Sequence, residues 1–588
     1  MSVEQGAGAG PRSPAGWRQD TVYQIYPRSF CDSNGDGIGD LPGILSRLDH
    51  LQALGVGVVW LSPVYQSPND DNGYDISDYR AIHPEFGTLA DFDALLAGMH
   101  QRGIKLMMDL VVNHTSDEHA WFQQARSARD NPFHDFYIWR EPRAGQVGGQ
   151  PGAEPNNWEA AFNGSVWTWN EATQEYYLHM FSPRQPDLNW ENPQVRAEVC
   201  ALMRFWLDRG VDGFRMDVIN VISKPWNADG SLPDAPVVKP GFLQPAFTLA
   251  TGGPRLTEFL QQMRREALAP YETLTVGEMP CVTPAQAQTY TAADSGALNM
   301  VFQFEHMDLD CQPVGGKWAL KPLHLPDLKR SMGRWQQALH GRGWNSLYLG
   351  NHDQPRPVSR FGDDGLHRVR SAKLLAMYLH GLQGTPYVYQ GEELGMTNLP
   401  WPSVEACQDL ETRNWWRVAV DEQGLDPAVA LAAVRAKSRD NARTPMQWSA
   451  GPGAGFTTGT PWLPINANAD RINADAARAD PDSVFHLYRQ LIALRRSLTV
   501  LVDGHYQPLL EDDTRLAAYL RQTDGESGTR LLVVCNFSGE PLTVRWPDHL
   551  DAAGYQTLVS NLPGDVAAAP WASEMTLQPW EARWALRS

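Results

Sequence analysis

The sequence predicts an α/β protein built on a (β/α)₈ TIM barrel, with a domain inserted after the third strand and an antiparallel β domain at the C-terminus. Three observations lead there. Apolar runs of strand length alternate with amphipathic helical stretches over most of the chain, the pattern of parallel β/α units. Eight such runs can be counted, at 22–26, 58–61, 104–112, 213–218, 273–277, 298–304, 345–349 and 386–390, and eight suits a closed barrel better than an open sheet. After the helical stretch at 482–495 the pattern changes to short β runs at 515–520, 530–536 and 542–546, separated by turn residues.

The intervening helices carry their own start and stop signals. Leu41, Ile44, Leu45, Leu48, Leu51 and Leu54 keep helical periodicity, and Gly55 follows where a helix ends on a left-handed residue. Asn192 and Pro193 read as N-cap and first helical residue of a helix that closes at Gly210. Residues 115–190 are rich in Gly, Pro, Asn and Trp and poor in helical periodicity. The expected organisation is a flexible tail over 1–16, the barrel over 17–114 and 191–502, the inserted domain over 115–190 and the β domain over 503–588.

The chain has 588 residues and a net charge of -19, from 49 basic and 68 acidic side chains. Without a compensating basic run, that charge opposes nucleic acid and anionic lipid as partners. No apolar core of a leader peptide occurs in the first 20 residues and no stretch reaches membrane-spanning length. The six cysteines, at 31, 200, 281, 311, 407 and 535, show no C-x-x-C spacing and read as reduced. These features predict a cytoplasmic protein, and a monomer or weak homo-oligomer is expected.

In a (β/α)₈ barrel the chemistry sits at the C-terminal ends of the strands. Here those ends carry acids: Asp109-Leu110-Val111-Val112-Asn113-His114, Gly213-Phe214-Arg215-Met216-Asp217, Val276-Gly277-Glu278 and Asn351-His352-Asp353. One strand-end carboxylate alone reads most simply as a helix cap or ion-pair partner. Three on one mouth, Asp217, Glu278 and Asp353, with no metal-ligand histidine pattern, suit cleavage of a glycosidic bond by paired carboxylates. Arg215, two residues before Asp217, falls on the same strand face and is expected to keep that carboxylate ionised. H-E-x-x-H, P-loop and G-x-S-x-G motifs are absent from the sequence.

These segments resemble the four motifs of the α-amylase family, glycoside hydrolase family 13. Gln185-Pro186-Asp187-Leu188-Asn189 is similar to a fifth, in the form found in its oligo-1,6-glucosidase branch. The resemblance runs from about residue 17 to the C-terminus. It implies Asp217 as nucleophile, Glu278 as general acid/base and Asp353 as the third carboxylate, gripping sugar hydroxyls. It also implies Asp71, His114, His352 and Arg439 as hydroxyl-binding groups and Tyr74 and Phe162 as stacking faces, with Arg443 left structural. Each of these alone fits an ordinary core residue; their places in Asp71-Asn72-Gly73-Tyr74 and Ser438-Arg439-Asp440-Asn441-Ala442-Arg443 select them.

The run from Asp32 to Asp40 places Asp32, Asn34, Asp36, Ile38 and Asp40 at alternating positions, as in an EF-hand loop, and the family branch has a similar loop. A structural Ca²⁺ is expected there, with Mg²⁺ as the alternative, because position 12 is Gly43 and not the usual Glu. Val218, directly after the nucleophile, resembles the α-1,6-acting members, whereas Ala or Thr marks α-1,4-acting maltases. The expected activity is a retaining exo-α-glucosidase acting on isomaltose and isomalto-oligosaccharides. The alternatives are an α-1,4-specific maltase, a transglucosylase or a sucrose isomerase. The last carries an Arg-Leu-Asp-Arg-Asp segment where this chain has His306-Met307-Asp308-Leu309-Asp310, then Gly315-Gly316-Lys317-Trp318. A non-enzymatic amylase-like ectodomain needs a membrane anchor and lost carboxylates, and the sequence shows neither.

Overall fold

A computed structural model of the chain describes residues 16–312, 315–525, 528–563 and 571–587. The tail expected over 1–16 lies outside the described residues except for Gly16. The eight barrel strands are β1 (Val22–Ile25), β2 (Val58–Leu61), β3 (Lys105–Leu110), β4 (Gly213–Met216), β5 (Leu274–Glu278), β6 (Met300–Phe302), β7 (Ser346–Leu347) and β8 (Thr385–Tyr389). They pair in parallel in the order β6-β5-β4-β3-β2-β1-β8-β7. One parallel bridge, Val301 to Asn345, joins the two ends and closes the barrel.

Each strand falls within a residue or two of an apolar run, because a strand buried on both faces needs apolar side chains on both. Gly213 opens β4 opposite Leu274 of β5. A Cβ there would lie 1.8 Å from the Leu274 carbonyl oxygen, so only glycine lets the two strands meet. Gly55 ends its helix at φ 92°, in the left-handed region. The Asn192 side chain accepts a hydrogen bond from Gln194 N at the head of the helix Pro193–Asp208.

The inserted lobe differs from the sequence expectation in extent. Its three antiparallel strands, Trp139–Arg140, Trp167–Asn170 and Glu175–Leu178, are short, and sheets this small bury little by themselves. Its core of Ile138, Trp158, Val166, Leu178 and Met180 is completed by Val221, Ala246 and Ala250, from the segment after β4. Gln244–Pro245 also pairs with Trp158–Glu159. The lobe over the barrel mouth therefore draws on two stretches of chain, of which 115–190 is one.

The C-terminal unit holds a five-stranded antiparallel sheet in the order His505–Leu509, Leu516–Gln522, Arg530–Asn536, Ala582–Arg587 and Gln556–Ser560. Buried Arg521 donates to the Gly381 carbonyl, fastening this sheet to the barrel. No helix among the described residues is long and apolar enough to cross a membrane.

Candidate active site

Asp217 follows β4 and Glu278 ends β5, so two neighbouring strands deliver the two carboxylates to the C-terminal mouth. The guanidinium of Arg215 lies between them, with Nη1 at 2.6 Å from Asp217 Oδ1 and Nη2 at 2.6 Å from Glu278 Oε2. Its Nη1 is also 2.8 Å from Asp109 Oδ1, on the register partner in β3. Trp60 Nε1 and Tyr74 Oη donate to Asp109 Oδ2, both at 3.0 Å, and fix this base.

Sharing one guanidinium among three carboxylates changes the role expected for Arg215. Burial, with Glu278 and Asp109 adding to it, pushes the Asp217 carboxyl well up against the opposing pull of Arg215. Arg215 is a common counter-ion for the cluster rather than the private partner of Asp217.

Val218 takes φ 34°, ψ 40°, a left-handed conformation that a β-branched residue rarely adopts. Its N–H donates to Glu278 Oε2 at 3.1 Å. A strained turn after Asp217 thus aims a backbone donor at Glu278, at a cost of about 1–3 kcal/mol.

Asp353 lies beyond β7 and is held from the other side. His352 Nε2 is 2.9 Å from its Oδ2, Arg443 Nη2 2.8 Å and Arg439 Nη1 3.3 Å from its Oδ1. Burial alone would raise this carboxyl, but His352, Arg439 and Arg443 hold it well below the usual range. Arg443 is buried, grips Asp353 and is not among the residues that line the pocket. Arg439 also bridges Asp71 Oδ1 at 3.0 Å and Asp409 Oδ1 at 2.7 Å, and lies 5.0 Å over the Phe162 ring. Tyr74 stacks on His352 with centroids 5.1 Å apart, and Gln24 Nε2 contacts His352 Nδ1 at 2.8 Å.

Asp71, Tyr74, His114, Phe162, Asp217, Val218, Glu278, His352, Asp353 and Arg439 line one pocket of about 100 Å³. Arg215 lies beneath it. Phe181 and Gln185 complete the wall and were not selected from the sequence. A larger hollow of about 840 Å³ opens near Trp17, Lys105, Leu274 and Trp344, toward the opposite strand ends. It gathers no carboxylate set and carries no comparable chemistry.

The family profile described as "Alpha amylase, catalytic domain" matches residues 24–504. The chain belongs to the α-amylase family. An oligo-1,6-glucosidase of Parageobacillus thermoglucosidasius is 56% identical over 573 residues, covering 96% of this chain and 98% of that one. Among solved structures, the trehalose-6-phosphate hydrolase of Bacillus licheniformis aligns with TM-score 0.89 at 46% identity, covering 97% of this chain and all of that one. The isomaltulose synthase of Erwinia rhapontici aligns with TM-score 0.90 at 39% identity, over 97% and 99%.

In this α-amylase-family chain burial pushes His114 down to about 4, and its Nε2 faces the Tyr74 carbonyl and Gln185. His119, His179 and His306 are likewise lowered to about 4, each chiefly by burial. A histidine that stays neutral when folded and protonates near 6.5 when unfolded binds fewer protons in the native state. Stability is then complete above about pH 6.5 and is lost as pH falls toward 4, by about 1.4 kcal/mol per histidine per pH unit. Urea unfolding at pH 7.5 and pH 5.5 should show a clearly lower midpoint at the acid value. Equal midpoints would mean that these rings are not buried neutral.

The Asp32–Asp40 loop lies apart from the pocket. Asp32 Oδ1 accepts from Asn34 N and Gly35 N, and its Oδ2 from Gly37 N and Thr457 Oγ1. Asn34 Oδ1, Asp36 Oδ1 and Asp40 Oδ2 accept from the backbones of Asp36, Ile38 and Ser33. Among the described residues no group of three or more His, Cys, Asp or Glu side chains is gathered to hold a metal. The donors offered by Asp32, Asn34, Asp36, Ile38 and Asp40 are oxygens only, a chemistry suited to a hard cation.

Proposed function

We propose that this chain is a retaining, exo-acting α-glucosidase that releases glucose from the non-reducing ends of short α-glucans and prefers α-1,6 linkages. The carrying observation is the pocket itself, with Asp217 and Glu278 on adjacent strands at its base and one wall closed by Arg439 bridging Asp71, Asp353 and Asp409. A pocket with a closed wall takes a chain end rather than a chain interior. Val218 in its lining and the 56% identity to an oligo-1,6-glucosidase support the linkage.

In this reading Asp217 attacks the anomeric carbon while Glu278 protonates the departing oxygen, giving a covalent glucosyl-enzyme. Glu278 then removes a proton from water, which attacks the same carbon and frees Asp217. Asp353, kept anionic by His352, Arg439 and Arg443, grips the ring hydroxyls and offsets positive charge that develops in both transition states. Two inversions give net retention. Product analysis on isomaltose, maltose, sucrose, trehalose and panose tests the specificity, and proton NMR tests the stereochemistry. Isomaltose should be the best disaccharide and fresh glucose should appear as the α anomer; β-glucose first, or no cleavage of isomaltose, sinks the reading.

We further propose a structural Ca²⁺, or Mg²⁺, on the Asp32–Asp40 loop. Thr457 and Gly459 face the loop, and a cation there would join the N-terminal loop to the 457–460 stretch. A ligand bound only by the folded state raises its stability. EDTA should therefore lower Tm, and added Ca²⁺ should restore it. No shift, with no cation retained after dialysis, would leave a turn held by its hydrogen bonds alone. All six cysteines are unpaired thiols, which supports a reducing, cytoplasmic setting.

A further inference from the structure

Two tryptophans outside the glucose pocket remain unused by the reaction. Trp318 lies in the turn Gly316–Trp318, after β6, and Trp415 in the helix Leu410–Trp416, after β8. Both connections leave the C-terminal ends of barrel strands, the face that carries the carboxylates. Gly315 and Gly316 take φ 98° and 60°, a backbone path that presents Lys317 and Trp318 together.

The two indoles stack, with centroids 4.5 Å apart and planes 11° from parallel. Lys317 Nζ lies 4.8 Å from the centroid of Trp318. Trp318 is thus engaged by both Trp415 and Lys317, and both rings of the stack remain partly exposed. Leu399, Trp401 and Val434 are the buried core against which both rings pack.

The pair is tied to the pocket rim at two points. Asn414 Nδ2 donates to the carbonyl of Phe162 at 3.2 Å. Lys317 pairs with Glu411, whose Oε2 is 3.5 Å from Arg439 Nε. Phe162 and Arg439 both line the pocket, whereas neither tryptophan does. The stack thus stands beside the glucose pocket without lining it, and it is half-buried.

We infer that the outer face of Trp415, backed by Trp318, binds a further pyranose unit of the leaving portion of a linear α-glucan. A pyranose presents a C–H face that an indole covers well, and a flat ring already fixed by a stack loses little freedom on binding. The inference rests on the α-glucosidase reading and extends it to substrates of three or more units.

Steady-state kinetics on isomaltose and isomaltotriose test it. Hydrolysis of isomaltose by the wild type checks the glucosidase reading on its own, before any variant is compared. Trp415→Ala should raise KM for isomaltotriose about tenfold relative to that for isomaltose, while kcat on isomaltotriose stays within about twofold. Trp415→Tyr, which keeps a flat ring, should recover most of the loss. An unchanged KM ratio in Trp415→Ala overturns the proposal. So does a parallel fall in kcat for both sugars with a lower Tm, which would mark a rim residue that only supports the fold.

Discussion

Replacing Glu278 by Gln or Asp217 by Ala should lower kcat on isomaltose by at least about 10⁴-fold, with far-UV dichroism unchanged. Each variant removes a different event. Asp217→Ala deletes the atom that bonds to the anomeric carbon. Glu278→Gln deletes the proton donor and, in the second step, the base. The amide that Glu278→Gln introduces still fits the space, and its oxygen can still accept from Val218 N, so loss of activity in that variant reports chemistry rather than collapse. Both variants also lighten the charge around Arg215, which carries three carboxylates in the native site. Neither should therefore unfold more easily in urea by more than about 3 kcal/mol. Turnover within about tenfold of wild type in either variant would remove the double-displacement mechanism.

Val218→Ala should shift the ratio of kcat/KM for maltose over isomaltose by about 10- to 200-fold toward maltose, the range expected for one or two methyl groups. The β-branched side chain lines the pocket beside Asp217, where a secondary O4 leaving group brings more bulk than a primary O6. Its backbone conformation makes the position sensitive in a second way. At φ 34° the valine is strained and alanine less so, so the variant should also hold or gain stability. Selectivity would thus fall while Tm does not. A wild type that already prefers maltose, or an unaltered ratio in the variant, removes the linkage assignment and leaves the glucosidase assignment standing.

The barrel was legible because buried parallel strands must be apolar throughout, and eight such runs separated by helical periodicity admit few other closures. The acids at the strand ends were legible for the same reason, since polarity returns where a strand leaves the core. What strand alternation could not supply was register. It put Arg215 and Asp217 on one face, but only the pairing of Arg215 with Asp109 across to β3 shows that the guanidinium has three claimants. The four-residue spacing of Arg439 and Arg443 was a usable signal that both reach one carboxylate, and the structure places both on Asp353. Gln185 stood inside a recognised segment, and Phe181 had no signal beyond nearness to it. The second half of the inserted lobe was hidden because its strand, Gln244–Pro245, is two residues long and carries no period.

The barrel is a cylinder with a seam. β6 and β7 meet through a single bridge, and β7 itself is two residues long, paired with β8 at two positions. Asp353 hangs from that strand, and its side chain, at 26% exposure, is more open than those of Asp217 and Glu278, at 9% each. Its position is consequently set by the ion pairs above it and hardly by the ladder below. Asp217 and Glu278 are rooted in the best-stitched arc of the wall, whereas the third acid is moored to chain that arrives from elsewhere, at Arg439 and Arg443. Two of the three acids are thus fixed by the barrel ladder itself, and the third by the arginines that grip it.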